Sequence, residues 1–498
     1  MRSILSVVST ILATCALLAP APTVAAPGDL DTATFGSGFG MVMTLIGSGS
    51  AQSYAVALQP DGKIVLAGTC GLGNSTDFCL ARYQANGWMD LDFGPNGTGT
   101  VISPIGSFQD FGFTVALQPD GKIVVTGACW NGSNYDFCLA RYQASGTLDP
   151  SFGSGGTVIS PIGSDNDLGL AIALQPDGKI VVGGYCKSGS NNFLCLARYR
   201  ANGTLDPDFD GDGKLISTFG TTTYIENSAI ALQPDGKIIV AGSCVSGSDN
   251  DFCLARYQAN GAIDTSFGSG GKVTTPIGSS QDYGYAVALQ PDGKIVVAGS
   301  CVGSSNLDFC LARYNTGGTL DVTFGSSGKV TTAIGSPTSQ EYGFAVAVLP
   351  DGKIVVAGKC SGDFCLARYH ASGTPDTNFG SGGTVTTPIG PATDNGLAMA
   401  LQPDGKIIVA GYCANNYQAF CLARYHGGPF GYQNCKLDID GDGVVLATTD
   451  MLIGTRVALG MTGSAVINGI SFASHATRKT WPDIRNYLVT QCGMTLAP

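Results

Sequence analysis

The hairpin sequence around "PDGK" recurs seven times, with its aspartate at Asp61, Asp120, Asp177, Asp235, Asp292, Asp351 and Asp404, at steps of 59, 57, 58, 57, 59 and 53 residues. A period of this size marks a repeat architecture, and strand content separates a ring of blades from a solenoid. Each unit contains four short strand signals. "YAVALQ" and "KIVLAG" flank "PDG", a turn in which proline presets φ and glycine accepts φ > 0. "FCLARY" supplies a third strand, and a stretch such as "GGTVISPIG" after "LDPSFG" supplies a fourth. Four antiparallel strands without an intervening helix predict propeller blades. The coils of a parallel β-helix, the competing reading, are much shorter than this period.

The phase of the repeat predicts how the ring closes. An "FG" element precedes every hairpin, at Phe35, Phe93, Phe152, Phe209, Phe267, Phe324 and Phe379, so the array opens on a fourth-strand segment. It ends at "FCLARYH" without one. The N-terminal strand is therefore expected to complete the last blade and remove the free sheet edge. Composition agrees: 72 glycines, 13% charged residues and only two glutamates, Glu226 and Glu341, suit tight turns and strands rather than helices.

The pattern "AVALQPDGKIVVAG…DFCLARY…LDxxFG" resembles the delta-60 repeat, a bacterial propeller family, over about residues 29–426. The resemblance implies a β-propeller and brings no catalytic residues with it. A cysteine pair in every repeat is this chain's own addition. The expected fold is thus all-β, a seven-bladed propeller of four-stranded blades closed by the N-terminal strand, with a small C-terminal α-helical module. Expected boundaries are 1–26 for a signal peptide, 27–426 for the propeller and 427–498 for the module.

Arg2, the apolar run from Ile4 to Leu18 and small residues at Val24, Ala25 and Ala26 predict export with cleavage near Ala25 or Ala26. The run is short for a membrane anchor. Cys15 leaves with the signal, so 16 of the 17 cysteines remain, and export to a periplasmic, cell-surface or extracellular location favours disulfides among this even number. The within-repeat pairs are Cys70 with Cys79, Cys129 with Cys138, Cys186 with Cys195, Cys244 with Cys253, Cys301 with Cys310, Cys360 with Cys365 and Cys413 with Cys421. Cys435 is left for Cys492. A metal reading of these cysteines lacks CxxC or Cys/His spacing.

The "LARY" arginines (Arg82, Arg141, Arg198, Arg256, Arg313, Arg368, Arg424) are each followed by an aspartate near an "FG": Asp90, Asp149, Asp206, Asp264, Asp321 and Asp376, with Asp31 serving Arg424 in a closed ring. An intra-blade ion pair is expected, because an active site needs different groups to converge and a sevenfold copy supplies only one kind. The acids that vary between repeats, Asp110, Asp165, Asp167, Asp282, Glu341 and Asp394, are expected to gather at one mouth. His370 and His426 follow "ARY", and His475 lies in the tail. A net charge of −11 disfavours a nucleic-acid partner.

In the tail, "DIDGDGVVLATTD" alternates Asp438, Asp440 and Asp442 before Gly443, with the Val444 carbonyl as a backbone ligand; this resembles a dockerin-like, EF-hand-like loop and implies calcium. Position twelve is Thr449, and the acid comes one residue later at Asp450. "DFDGDGK" at 208–214 has a similar look but sits in the "FGSGG" slot of its blade, and reads as a repeat variant. "KTWPDIRNYLVTQC" predicts a helix. Function is expected to be non-enzymatic binding of a protein or glycan. The alternative is a polysaccharide hydrolase or lyase, which requires non-repeated carboxylates and aromatics at one mouth.

Overall fold

The computed structural model describes residues 25–428 except 74, 190, 219–227, 304–305, 336–337 and 415–416, and in the tail 439, 453, 464–468, 470–472 and 477–490. Seven four-stranded antiparallel sheets form. Blade 1 consists of Ala51–Leu58, Ile64–Leu72, Ser75–Tyr83 and Thr100–Ser103, from the innermost strand outward. Blades 2 to 6 repeat this order over 110–160, 167–217, 228–275, 282–332 and 341–387. Blade 7 takes three strands from 394–426 and its outer strand from Met41–Thr44, paired Met41↔Ala423 through Thr44↔Phe420. The ring closes as its phase predicts.

Two glycine positions shape every blade. The glycine of the "PDG" turn has φ between +81° and +91° in all seven copies (Gly405 the highest), a region that side chains disfavour. The glycine of "VVAG" serves a different purpose. In six blades the inner strand bulges by one residue: Tyr54, Phe113, Leu170, Tyr285, Phe344 and Leu397 are the extra residues. A Cβ on Gly127 or Gly358 opposite would stand on the Phe111 or Tyr342 carbonyl oxygen. The bare glycine lets the bulged strand close in.

The core lies between blades. Val65, Leu80 and Phe93 of blade 1 pack with Ile123, Val125 and Tyr142 of blade 2, and the same layer recurs round the ring. The second and third strands are buried on both faces, which explains their unbroken apolar runs. In the tail, Ile439, Ile453, Val466, Trp481 and Ile484 form a separate small cluster, and the predicted helix spans Trp481–Thr490. No helix among the described residues is long and apolar enough to cross a membrane.

Candidate functional site

The ring has two unlike ends. At the "PDGK" end each blade places one arginine against its aspartate, from Arg82 Nε to Asp90 Oδ2 at 2.6 Å to Arg424 Nε to Asp31 Oδ2 at 2.9 Å, the latter across 393 residues. The guanidinium stacks over the "FG" phenylalanine, 4.5 Å from the Phe93 ring centroid and 4.4 Å from that of Phe35. It also reaches the next repeat: Arg82 donates to the Ala144 carbonyl at 2.5 Å and Arg424 to that of Ala85 at 2.5 Å. The expected intra-blade pair is therefore also a bond between neighbouring blades. The turn lysine adds to it, Lys63 lying 3.2 Å from Asp90. Burial works against the charged form of Asp149, but hydrogen bonds from Ser151 and the Arg141 charge outweigh it and hold the carboxyl at about 2. His370 and His426 flank this same end, beside Asp376 and Asp31.

The opposite end carries the cysteines. Each within-repeat pair is brought to disulfide distance, with Cα–Cα separations of 5.8 to 5.9 Å. Cys70 meets Cys79, Cys129 meets Cys138, Cys186 meets Cys195 and Cys244 meets Cys253. Cys301 meets Cys310, and the two shorter spacings, Cys360 with Cys365 and Cys413 with Cys421, reach the same separation. All seven clamp the bases of the loops between second and third strands, whose sequences differ in every blade. Cys435 and Cys492 lie outside the described residues, as do Asp438, Asp440, Asp442, Val444 and Asp450 of the expected calcium loop, and His475. In the "DFDGDGK" segment, Phe209 is buried like its counterparts while Asp210 and Asp212 are exposed, the arrangement of a repeat variant.

The variable acids lie at this cysteine end but do not face the channel. Asp110, Asp167, Asp282, Glu341 and Asp394 are at most 1% exposed and turn into the junctions between blades. There each accepts backbone N–H groups from the loop before it, Asp110 from Ile105 at 2.7 Å and Gly106 at 2.8 Å, Glu341 from Ile334 at 2.7 Å. Burial, reinforced by a carboxylate of the preceding blade, pushes Asp167 and Asp282 up to about 6 and Glu341 to about 7. Those facing carboxylates are Asp136, Asp251 and Asp308. Asp165 alone of the expected set is half-buried in a loop.

Aromatic side chains occupy the channel face that the acids vacate. Tyr54, Tyr285 and Phe344 line a central cavity of about 270 Å³, together with Thr114, Leu170, Leu397 and a narrower ring of Val, Ile and Met side chains. Tyr54 contacts Phe113 with ring centroids 5.6 Å apart, and Phe113 stacks on Phe111 at 6.2 Å with planes 4° apart. Tyr285 meets Phe344 at 5.0 Å, Phe344 stacks on Tyr342 at 5.6 Å and 4°, and Tyr285 stacks on Tyr283 at 6.3 Å and 15°. One wall thus comes from blades 1 and 2 and the other from blades 5 and 6, across the ring in blade order. Tyr135, Trp130 and Tyr412 extend the first wall towards the rim. The sequence reading did not single out these rings. Their signal is the alternation "YGY", "FGF", "YGF" ahead of the hairpin, in positions where other repeats hold Gln52, Leu168, Glu226 or Asn395 and then Leu170, Ser228 or Leu397.

The family model described as "Domain of unknown function (DUF5122) beta-propeller" matches residues 59–93, 118–152, 175–209, 233–267, 290–324, 349–379 and 402–427. Each match runs from the end of an inner strand through the Arg–Tyr strand of one blade, one match per blade. The seven matched segments each carry this family's repeat. The DUF5122 matches begin after the inner strands, so Tyr54, Phe111, Phe113, Tyr283, Tyr285, Tyr342 and Phe344 stand outside the shared pattern, while Trp130, Tyr135 and Tyr412 fall within matched segments. No curated protein matches the sequence. Among solved structures, this chain is similar to a catalytically inactive virginiamycin B lyase from Staphylococcus aureus with quinupristin (12% identity, 77% of this chain and 98% of that one, TM-score 0.43). It is similar to polysaccharide lyase Uly1 (13%, 75% and 90%, TM-score 0.41) and to Drosophila Semaphorin 1b (9%, 77% and 88%, TM-score 0.41). At such identities the likeness concerns architecture and carries no activity to this chain.

Proposed function

We propose that this chain is an exported binding protein whose disulfide-clamped, aromatic-lined mouth receives a protein or glycan ligand outside the cell or at its surface. The finer delta-60 assignment fits this reading. The observation that carries it is the contrast between ends: the "PDGK" end repeats one arrangement seven times, while the cysteine end concentrates non-repeated aromatic rings around an open channel. Half-buried rings at a concave mouth are a typical ligand-binding surface. Five described carboxyls at that end, Asp110, Asp167, Asp282, Glu341 and Asp394, are committed to backbone N–H groups, which favours binding over the alternative of a secreted polysaccharide hydrolase or lyase. The tail is proposed to hold calcium through Asp438, Asp440, Asp442, the Val444 carbonyl and Asp450 as a structural ion.

The test is a ligand screen of the mature chain against a double variant carrying Phe113→Ala and Tyr285→Ala. Ligands retained by the first and lost by the second support the mouth. Turnover of a polysaccharide by the unmodified chain would replace binding with catalysis.

A further inference from the structure

Resting on the mouth being a binding site, the chemistry of its walls narrows the ligand class. None of the described residues lining the central cavity carries a charge. The carboxyl groups next in sequence, such as Asp110 beside Phe111 and Glu341 beside Tyr342, point away into the blade junctions. Within the described lining of the cavity, an anionic ligand therefore meets no cation and a cationic one no carboxylate; Lys359, across from Tyr342, lies outside that lining. A folded protein surface does not enter a cavity of about 270 Å³ enclosed by seven inner strands. A narrow chain or its end does.

Two features of the walls select among narrow chains. The rings lie in near-parallel stacks, Phe111 on Phe113 and Tyr342 on Phe344, so each wall offers flat π surface to a flat apolar face. Beside the first wall are amides that both donate and accept: Gln52 Nε2 donates to Gln418 Oε1 at 2.6 Å, and the Tyr54 hydroxyl donates to Gln52 Oε1. Gln109 accepts from the Tyr135 hydroxyl at 2.8 Å. Flat C–H faces edged by hydroxyl groups describe a pyranose ring. Hydroxyl partners of mixed donor and acceptor character are what uncharged side-chain amides match. We infer that the mouth takes the end of a neutral polysaccharide, with one sugar ring against the Tyr54–Phe113 wall and another against the Tyr285–Phe344 wall.

The experiment is affinity electrophoresis of the full mature chain in gels containing dextran, a soluble β-glucan, xylan or galactomannan, with alginate and a polyproline peptide as the competing classes. Saturation-transfer NMR of the retained polymer's oligosaccharides on the unmodified chain reports whether sugar C–H protons lie against aromatic rings. The expected result is retardation by at least one neutral polymer, weakened about tenfold or more by Phe113→Ala or Tyr285→Ala. Phe113→Tyr, which keeps the ring, restores binding. Trp88→Ala, at the opposite end and 61% exposed, leaves it unchanged. Capture of alginate or polyproline instead, lost on the same substitutions, overturns the neutral-glycan assignment while the mouth stands as a binding site. Retardation by a neutral polymer that neither ring substitution weakens overturns both, as does absence of binding by every polymer and peptide. The NMR readout on the unmodified chain decides the inference even if an alanine variant does not fold.

Discussion

The two ends of this ring are built from the same seven repeats and obey opposite rules. At the "PDGK" end, Arg, Asp, Lys and Phe are reused almost without change, and each cluster binds its own blade to the next. At the cysteine end the framework is reduced to a disulfide and a buried carboxyl, and the side chains around the channel differ from blade to blade. Repetition marks what holds the ring together, and under the proposed function departure from repetition marks what is presented to a ligand. The junction acids show the principle in miniature. Where blade 7 meets blade 1, both acid positions are alanine, Ala419 and Ala51, each fully buried. In the sequence, the corresponding positions of repeats 3 and 4 hold Phe193 and Ile225. Acids at these positions come in facing pairs or not at all.

The largest way to break the comparison is at the repeated end. Arg313→Met leaves Asp321 buried at 5% exposure without its guanidinium and removes the carbonyl bond to Ala371. Losing one partner of a buried pair costs about 3–5 kcal/mol. Denaturant unfolding of the variant is expected to show a loss of that order, with ligand retention by the folded fraction intact. A loss below about 1 kcal/mol would make this end no more structural than the other.

The second test uses pH, because the two ends titrate in opposite directions. Asp149 and Asp321 are held at about 2, Asp321 chiefly by the Thr323 hydroxyl, so their contribution is complete above 3.8 and disappears only as pH falls through about 2. Asp167, Asp282 and Glu341 are raised, so their contribution is complete below 3.8 or 4.5 and is lost as pH rises through about 6 to 7. Lys329 beside Asp282 and Lys214 beside Asp136 moderate the effect without reversing it. Among these carboxyls only those at the cysteine end change between pH 4 and 8, and the stability they contribute falls as pH rises. The shift of Glu341 from 4.5 to about 7 corresponds to roughly 3 kcal/mol. Glu341→Gln should flatten the profile of unfolding free energy by about that share, and an unchanged profile would remove the junction acids from the account.

The clamps come next. Replacing Cys129 and Cys138 together by alanine opens a loop with a sequence separation of 9. Chain entropy assigns such a closure about 2–3 kcal/mol. The loss should fall on unfolding free energy and on the order of the loop carrying Trp130 and Tyr135, read by hydrogen exchange. The same exchange experiment tests the proposed calcium loop: if it holds the ion, chelation, or Asp440→Ala with Asp442→Ala, raises exchange in residues 438–450 and leaves the ring unchanged.

Most of the architecture is legible in the chain because it depends on local chemistry that recurs: the "PDG" turn, the alternation of the strands and the phase offset that joins Met41–Thr44 to blade 7. The Arg–Asp pairs are legible for the same reason. The reach of Arg82 to Ala144 is not, since nothing in one repeat tells which carbonyl of the next will lie within range. The acids are misplaced by a question of parity. Asp110 and Phe111 are adjacent and must face opposite ways, but which way is the channel depends on packing against Asp77 and on the bulge at Phe113. One strand viewed alone contains neither, so the acids are assigned the mouth that the aromatics occupy.

The smallest expected effect sharpens the comparison most, because it removes one hydroxyl from a repeated junction and one from the mouth. Tyr83 is fully buried at a blade junction, and its hydroxyl lies 2.9 Å from Thr44 Oγ1 on the strand that closes the ring. Tyr54 is half-buried at the mouth, and its hydroxyl donates to Gln52, which has a further partner in Gln418. The chain already holds phenylalanine at the position equivalent to Tyr54 in blades 2 and 6, as Phe113 and Phe344. It never does so at the position of Tyr83, which is tyrosine in all seven blades. Tyr83→Phe leaves a hydroxyl partner without its bond at a seam, costing about 1–2 kcal/mol. Tyr54→Phe removes a bond that solvent and Gln418 replace, costing about 0.5 kcal/mol or less. Equal costs in paired unfolding titrations would mean that the mouth tyrosine is framework, and that variation between blades does not mark the ligand face.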